Sequence, residues 1–154
     1  MKTVVIEDGV LSIGDSAFYS CDELASVTIG NDVSVIGSQA FYECTRLKTL
    51  TIGSGLEWIK NSAFCNCSSL TKVSLPASIL QIDGGAFRSC GNLLGVSFAD
   101  TSYKWKQIDS YGSEVNSAYY VDDSSVNATN FLNSYTANYH WVREDHERIV
   151  ESAD

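Results

Sequence analysis

The chain lacks the roughly 20 consecutive apolar residues that a membrane-spanning helix needs, so membrane insertion is not expected. It is poor in positive charge, with 10 Lys and Arg against 19 Asp and Glu and a net charge of -9. Nucleic acid requires a basic surface, which argues against it as a partner. The opening Met1-Lys2-Thr3-Val4-Val5-Ile6 meets Glu7 and Asp8 too soon to read as a signal peptide. The chain opens instead directly on a repeated strand, which reads as a segment cut from a longer protein with Met1 added or fortuitous. Histidine occurs twice, at His140 and His146, both far from the cysteines. Cys65-Asn66-Cys67 lacks the two-to-four-residue gap of zinc sites. No glycine-rich phosphate loop precedes a helix, and the carboxylates are scattered with no pair facing a cleft. No catalytic residue, metal or cofactor is therefore expected.

A fixed period fills most of what is there. Phe18, Phe41, Phe64 and Phe87 are each 23 residues apart, and Cys21, Cys44, Cys67 and Cys90 keep the same step. So do Ala17, Ala40, Ala63 and Ala86, and Leu24, Leu47, Leu70 and Leu93. A half copy comes first, with Val4, Ile6 and Val10 one step before Val27, Ile29 and Val33. Such a period is the signature of a solenoid. In each copy Val4-Val5-Ile6, Val27-Thr28-Ile29, Leu50-Thr51-Ile52, Val73-Ser74-Leu75 or Val96-Ser97-Phe98 alternates as a half-buried strand does. A second extended piece ends on Ile13, Ile36, Ile59 or Ile82. The turn that follows holds Ala17, Phe18 and Cys21 at helical spacing, which predicts one turn of α- or 3₁₀-helix. One coil cannot bury its apolar side alone, and its neighbours do so.

The wording Ile-Gly-x-x-Ala-Phe-x-x-Cys-x-x-Leu-x-x-Val-x-Ile stands in full at residues 13–29 and nearly so at 36–52. Lys60 and Asp83 replace its glycine in the next two copies. This pattern resembles the BspA-like leucine-rich repeats of bacterial surface proteins. The resemblance covers about two thirds of the chain. It implies an α/β repeat fold, a right-handed leucine-rich-repeat solenoid with a parallel β-sheet on its concave side. It also implies an extracellular or cell-surface location and adhesion to a host or bacterial surface protein. A structural spacer within a longer surface protein is the alternative, and a monomer is expected.

The period fails at residue 99. Residues 1–98 read as the solenoid, 99–143 as an aromatic C-terminal cap and 144–154 as a charged, frayed tail. Charge follows the same division, -3 before residue 99 and -6 after it. Within the cap, Ala118-Tyr119-Tyr120-Val121 and Tyr139-His140-Trp141-Val142 read as strands. Ala128, Phe131, Leu132 and Tyr135 read as one face of a helix capped by Ser124 or Ser125. This part resembles the aromatic tail of some gut-bacterial members of the family, and an open solenoid end needs such a cover.

The binding candidates are the outward columns of the first sheet. Thr28, Thr51 and Ser74, flanked by Lys72, form a ladder that is either plain β-surface or a flat ligand-binding face. Trp58 precedes the inward Ile59, so it should point outward, where it could anchor a partner or equally pack on Leu80 or on the cap. The four periodic cysteines read as small buried fillers with free thiols. Cys65 stands in the variable column of Tyr19, Tyr42 and Arg88, so it should be exposed and react first.

Overall fold

A computed structural model of the chain describes residues 2–100, 102–109, 111, 113–120, 140–147 and 149. Each period supplies a long and a short strand. The long strands are β1 (Lys2–Ile6), β3 (Leu24–Ile29), β5 (Thr49–Ile52), β7 (Lys72–Leu75) and β9 (Gly95–Phe98). The short ones are β2 (Ser12–Ile13), β4 (Val35–Ile36), β6 (Trp58–Ile59) and β8 (Gln81–Ile82). Pairing is parallel and one period apart: Val4 with Val27, Val27 with Leu50, Ile36 with Ile59 and Val73 with Val96. The long strands make the first sheet face, hydrogen-bonded as β1-β3-β5 and as β7-β9, and the short strands belong to the second sheet. The chain is thus a β-solenoid of stacked coils. The register is set by burial, since a one-residue slip would turn Val27 and Ile29 outward.

The third side of each coil is a turn, and the expected helical turn is absent from it. Ser16 and Ser20 have φ of 56° and 53°, and Gln39, Glu43, Ser62 and Asn66 repeat that left-handed geometry in the next two coils. A helix cannot contain two such residues. Instead the amide N–H groups alternate. Ala17, Tyr19 and Cys21 donate to the carbonyls of Gly14, Ser16 and Phe18 within the coil. Ser16, Phe18 and Ser20 donate to Ser38, Ala40 and Tyr42 of the next coil. Among the described residues there is no helix, so the α/β expectation gives way to a β-solenoid.

The turn carries the core ladder inward. The four Phe rings stack at 5.1, 5.1 and 5.4 Å with planes within 6° of parallel. This spacing lies in the favourable range for aromatic pairs. Phe41, Phe64 and Phe87 are fully buried, whereas Phe18, in the first coil, is only partly so. The Cys column does more than fill space. The thiols of Cys44, Cys67 and Cys90 donate to the carbonyls of Phe18, Phe41 and Phe64 in the preceding coil at 3.1–3.2 Å.

Burial pushes the Cys44 thiol up to about 11 and the Cys90 thiol to about 12, and raises Cys67 further. These groups keep their protons in the folded chain above pH 9, where the unfolded chain begins to lose them. The stabilisation is complete below that pH and declines as pH rises. The urea midpoint should therefore fall between pH 9 and pH 11, and Cys67→Ser, which cannot ionise there, should fall less steeply. Equal slopes for parent and variant would mean that Cys67 contributes nothing to the dependence.

After the repeats, β10 (Lys104–Ile108), β11 (Glu114–Tyr120) and β12 (His140–Arg143) extend the second sheet. Its order is β11-β10-β12-β8-β6-β4-β2. Strand β12 runs antiparallel to β8, with Trp141 opposite Ile82 and Val142 opposite Gln81. Strand β10 lies antiparallel to both β12 and β11. Trp105 is 1% exposed, lies 5.7 Å from Phe98 and joins the core together with Trp141. The two expected strands fall on β11 and β12, whereas Val121, Tyr139 and the helix expected over 128–135 lie outside the described residues. Ile149, in the segment expected to form a charged tail, exchanges two hydrogen bonds with Gln81, at 2.6 and 3.0 Å.

Candidate protein-interaction face

Strand alternation divides the first sheet cleanly. Val27, Ile29, Val73 and Leu75 go inward, and Thr28, Thr51, Ser74 and Ser97 stand exposed on the other face. In the last two coils the ladder positions bond to each other, the Ser97 hydroxyl donating to that of Ser74 at 3.1 Å. Lys72 is exposed in the flanking column, beside Thr49 and Ser26. A groove opens where the first strands begin, lined by Thr3, Glu23, Ser26, Arg46, Lys48 and Thr49. Glu23 is engaged there by Lys2 at 3.2 Å, a hydrogen bond that holds its carboxyl below the usual range. Arg46 and Lys48 thus line this groove, and Lys72 is exposed on β7, in a chain of net charge -9. Thr28, Thr51, Ser74 and Lys72 fall together on this face.

Trp58 does not join them. It lies on β6 in the second sheet, and it is 8% exposed rather than outward in solvent. Its ring leaves the Phe core, as the sequence implied, but meets other cover. The indole N–H donates to the Asp83 carboxylate at 2.8 Å, and the Lys60 ammonium sits 4.7 Å over the ring. Asp83 is itself 5% exposed and is shared. Its other oxygen accepts from the Gln81 amide at 2.8 Å and contacts His140 Nδ1 on β12. Gln81 and His140 are buried too. A buried carboxylate needs such partners, and here the donors converge from two coils and the C-terminal strand. Sequence reading missed Gln81, Asp83 and His140 as a unit. The available signal was Asp83 in the column of Gly14 and Gly37.

Cys65 is likewise corrected. It stands in an external column, yet it is 8% exposed, because its short side chain lies between the longer Tyr42 and Arg88 one coil away on either side. Burial pushes its thiol up, which lowers reactivity further. Cys21, in the first coil, is the one cysteine that is not buried. A native-state thiol reagent should therefore label Cys21 first and the other four slowly, read by intact mass and peptide mapping. First labelling at Cys65 would restore the exposed reading of that column.

Among the described residues no three His, Cys, Asp or Glu side chains gather as metal ligands, and no helix is long and apolar enough to cross a membrane.

A family model described as a BspA-type leucine-rich-repeat region matches residues 1–112 in six copies. No curated protein matches the chain. Among solved structures, the chain is similar to a leucine-rich repeat protein from Bacteroides capillosus, with TM-score 0.58 and 28% identity over 64% of this chain and 77% of that one. It is similar to the leucine-rich repeat protein of T. pallidum, with TM-score 0.50 and 32% identity over 61% of this chain and 57% of that one. It shares its fold with the pneumococcal vaccine antigen PcpA, at TM-score 0.51 and 23% identity over 66% of this chain and 32% of the antigen. The chain thus spans less than two thirds of the latter two.

Proposed function

Since this chain belongs to the BspA-type leucine-rich-repeat family, we propose that it is a non-enzymatic protein-binding module of a secreted or cell-surface protein. The face used is the exposed hydroxyl ladder of Thr28, Thr51 and Ser74 with Lys72 at its side. The observation that carries this reading is the contrast in charge. The chain is strongly acidic, yet Arg46 and Lys48 line the groove beside the ladder and Lys72 stands exposed in the flanking column. Small hydroxyls leave the sheet open to close approach, and the basic edge selects an acidic protein surface, chiefly through association rate. Trp58, held by Asp83, belongs to the other sheet and is excluded from the contact.

The test is an adhesion screen by biolayer interferometry, with the chain immobilised and bacterial or host surface proteins in solution. Thr51→Glu combined with Lys72→Glu should leave the melting temperature within a degree or two, as surface changes do. Against any binder found, it should weaken affinity at least tenfold, chiefly in the on-rate. Unchanged affinity would move the contact off this sheet. Absence of binding across the screen would favour a structural spacer.

A further inference from the structure

The turn side of the solenoid carries a second external column, formed by Tyr19, Tyr42, Cys65 and Arg88. Tyr19 and Tyr42 stack at 5.0 Å with planes 9° apart, the same step that the buried Phe rings keep. At Cys65 the next ring of the stack is missing. The column resumes one coil later with Arg88, so two coil steps, roughly 10 Å, separate the Tyr42 and Arg88 positions. Between them lies a notch of about 420 Å³ lined by Gln39, Tyr42, Ser62, Cys65, Asn66 and Arg88. That volume falls within the range of small-ligand pockets. Arg88 is exposed, and its guanidinium has no hydrogen-bond or ion-pair partner among the described residues. The side-chain amides of Gln39 and Asn66 at its rim are likewise uncommitted among the described residues.

The geometry points to a binding slot for one planar aromatic side chain of a partner protein, entered from the turn side. A ring at the missing position would lie about 5 Å from Tyr42 on one face, within the favourable distance for aromatic pairs. Its other face would lie about 5 Å from the Arg88 position, within reach of a cation–π contact. The Cys65 thiol forms an apolar floor, and the Gln39 and Asn66 amides can receive a phenol or indole polar edge. This slot faces away from the first sheet and does not depend on the ladder of Thr28 and Thr51.

The probe is N-acetyl-tyrosinamide, titrated into the isotope-labelled chain and followed by NMR. Saturable shifts are expected at Tyr42, Cys65 and the Arg88 side chain, with none at Thr51. Cys65→Tyr supplies the missing ring, as the first two coils do, and should keep the parent melting temperature while weakening the probe at least tenfold. Cys65→Ala leaves the slot open and should bind within twofold of the parent. No saturable shift in parent or Cys65→Ala would overturn the proposal, as would equal binding by Cys65→Tyr. A Cys65→Tyr chain that melts well below the parent would also overturn it, since the slot would then be closed by its own walls.

Discussion

Removal of residues 99–154 is expected to leave a chain that aggregates. The cut takes away β12, which pairs with β8, and Trp105, which covers Phe98. Ile82, Phe87, Phe98 and the buried carboxylate of Asp83 would then face water at one end of the stack. Solenoids need a polar-faced terminal element for that reason. Size-exclusion chromatography and a thermal melt decide the matter, and a monomeric truncation with the parent melting temperature would show that the segment is dispensable. Trp105→Ala is the milder form of the same experiment. It leaves a cavity against Phe98 and should cost about 3–5 kcal/mol.

The second large effect runs against the repeat itself. Asp83→Gly restores the residue found at Gly14 and Gly37, so a design guided by the period would choose it. It is expected to destabilise the chain by about 3–5 kcal/mol, the loss seen when one partner of a buried ionic or hydrogen-bonded group is removed. The Trp58 indole, the Gln81 amide and the His140 ring all lose the same acceptor. Lys60→Gly, the same replacement one coil earlier, removes a half-buried ammonium that lies over the Trp58 ring and should cost less, about 1 kcal/mol for that cation–π contact. Urea midpoints of the two variants make the comparison. Equal stability of parent and Asp83→Gly would show that the cluster is not holding β12 to the coil. A double-mutant cycle between Asp83 and His140 would give their coupling directly.

The repeating part of the fold was legible because each core column states its own neighbour. The 23-residue step that aligns Phe41 with Phe64 also aligns Val27 with Leu50, and the strand register follows without further information. The turn was misread for a physical reason. Ala17, Phe18 and Cys21 have helical spacing, but the left-handed φ values fall on Ser16 and Ser20, residues that carry no glycine or asparagine signal in that copy. Trp58 stayed open between anchoring a partner and packing on the cap because its cover comes from outside the period. Asp83 bridges it to His140, 57 residues further along, and no column predicts that contact. Cys65 failed differently. Its column is external on average, but a short side chain between Tyr42 and Arg88 is shaded by both. The face of Thr28, Thr51, Ser74 and Lys72 was readable from strand alternation alone, whereas the basic edge given by Arg46 and Lys48 required the sheet to be assembled first.

The alternating amides on the turn side also give the stack a polarity. Ser16, Phe18 and Ser20, then Gln39, Phe41 and Glu43, then Ser62, Phe64 and Asn66, all donate in the same sense, from each coil to the next. Strand peptides alternate in direction and largely cancel, but these three files of peptide dipoles add, as they do along an α-helix. Their sense is reversed relative to a helix. The positive end lies toward the C-terminal coils, and the carbonyls of Asp15, Ala17 and Tyr19 form the negative end at the first coil. A cation approaching the turn side is therefore drawn toward the Tyr19 end of the file, and an anion toward the Arg88 end.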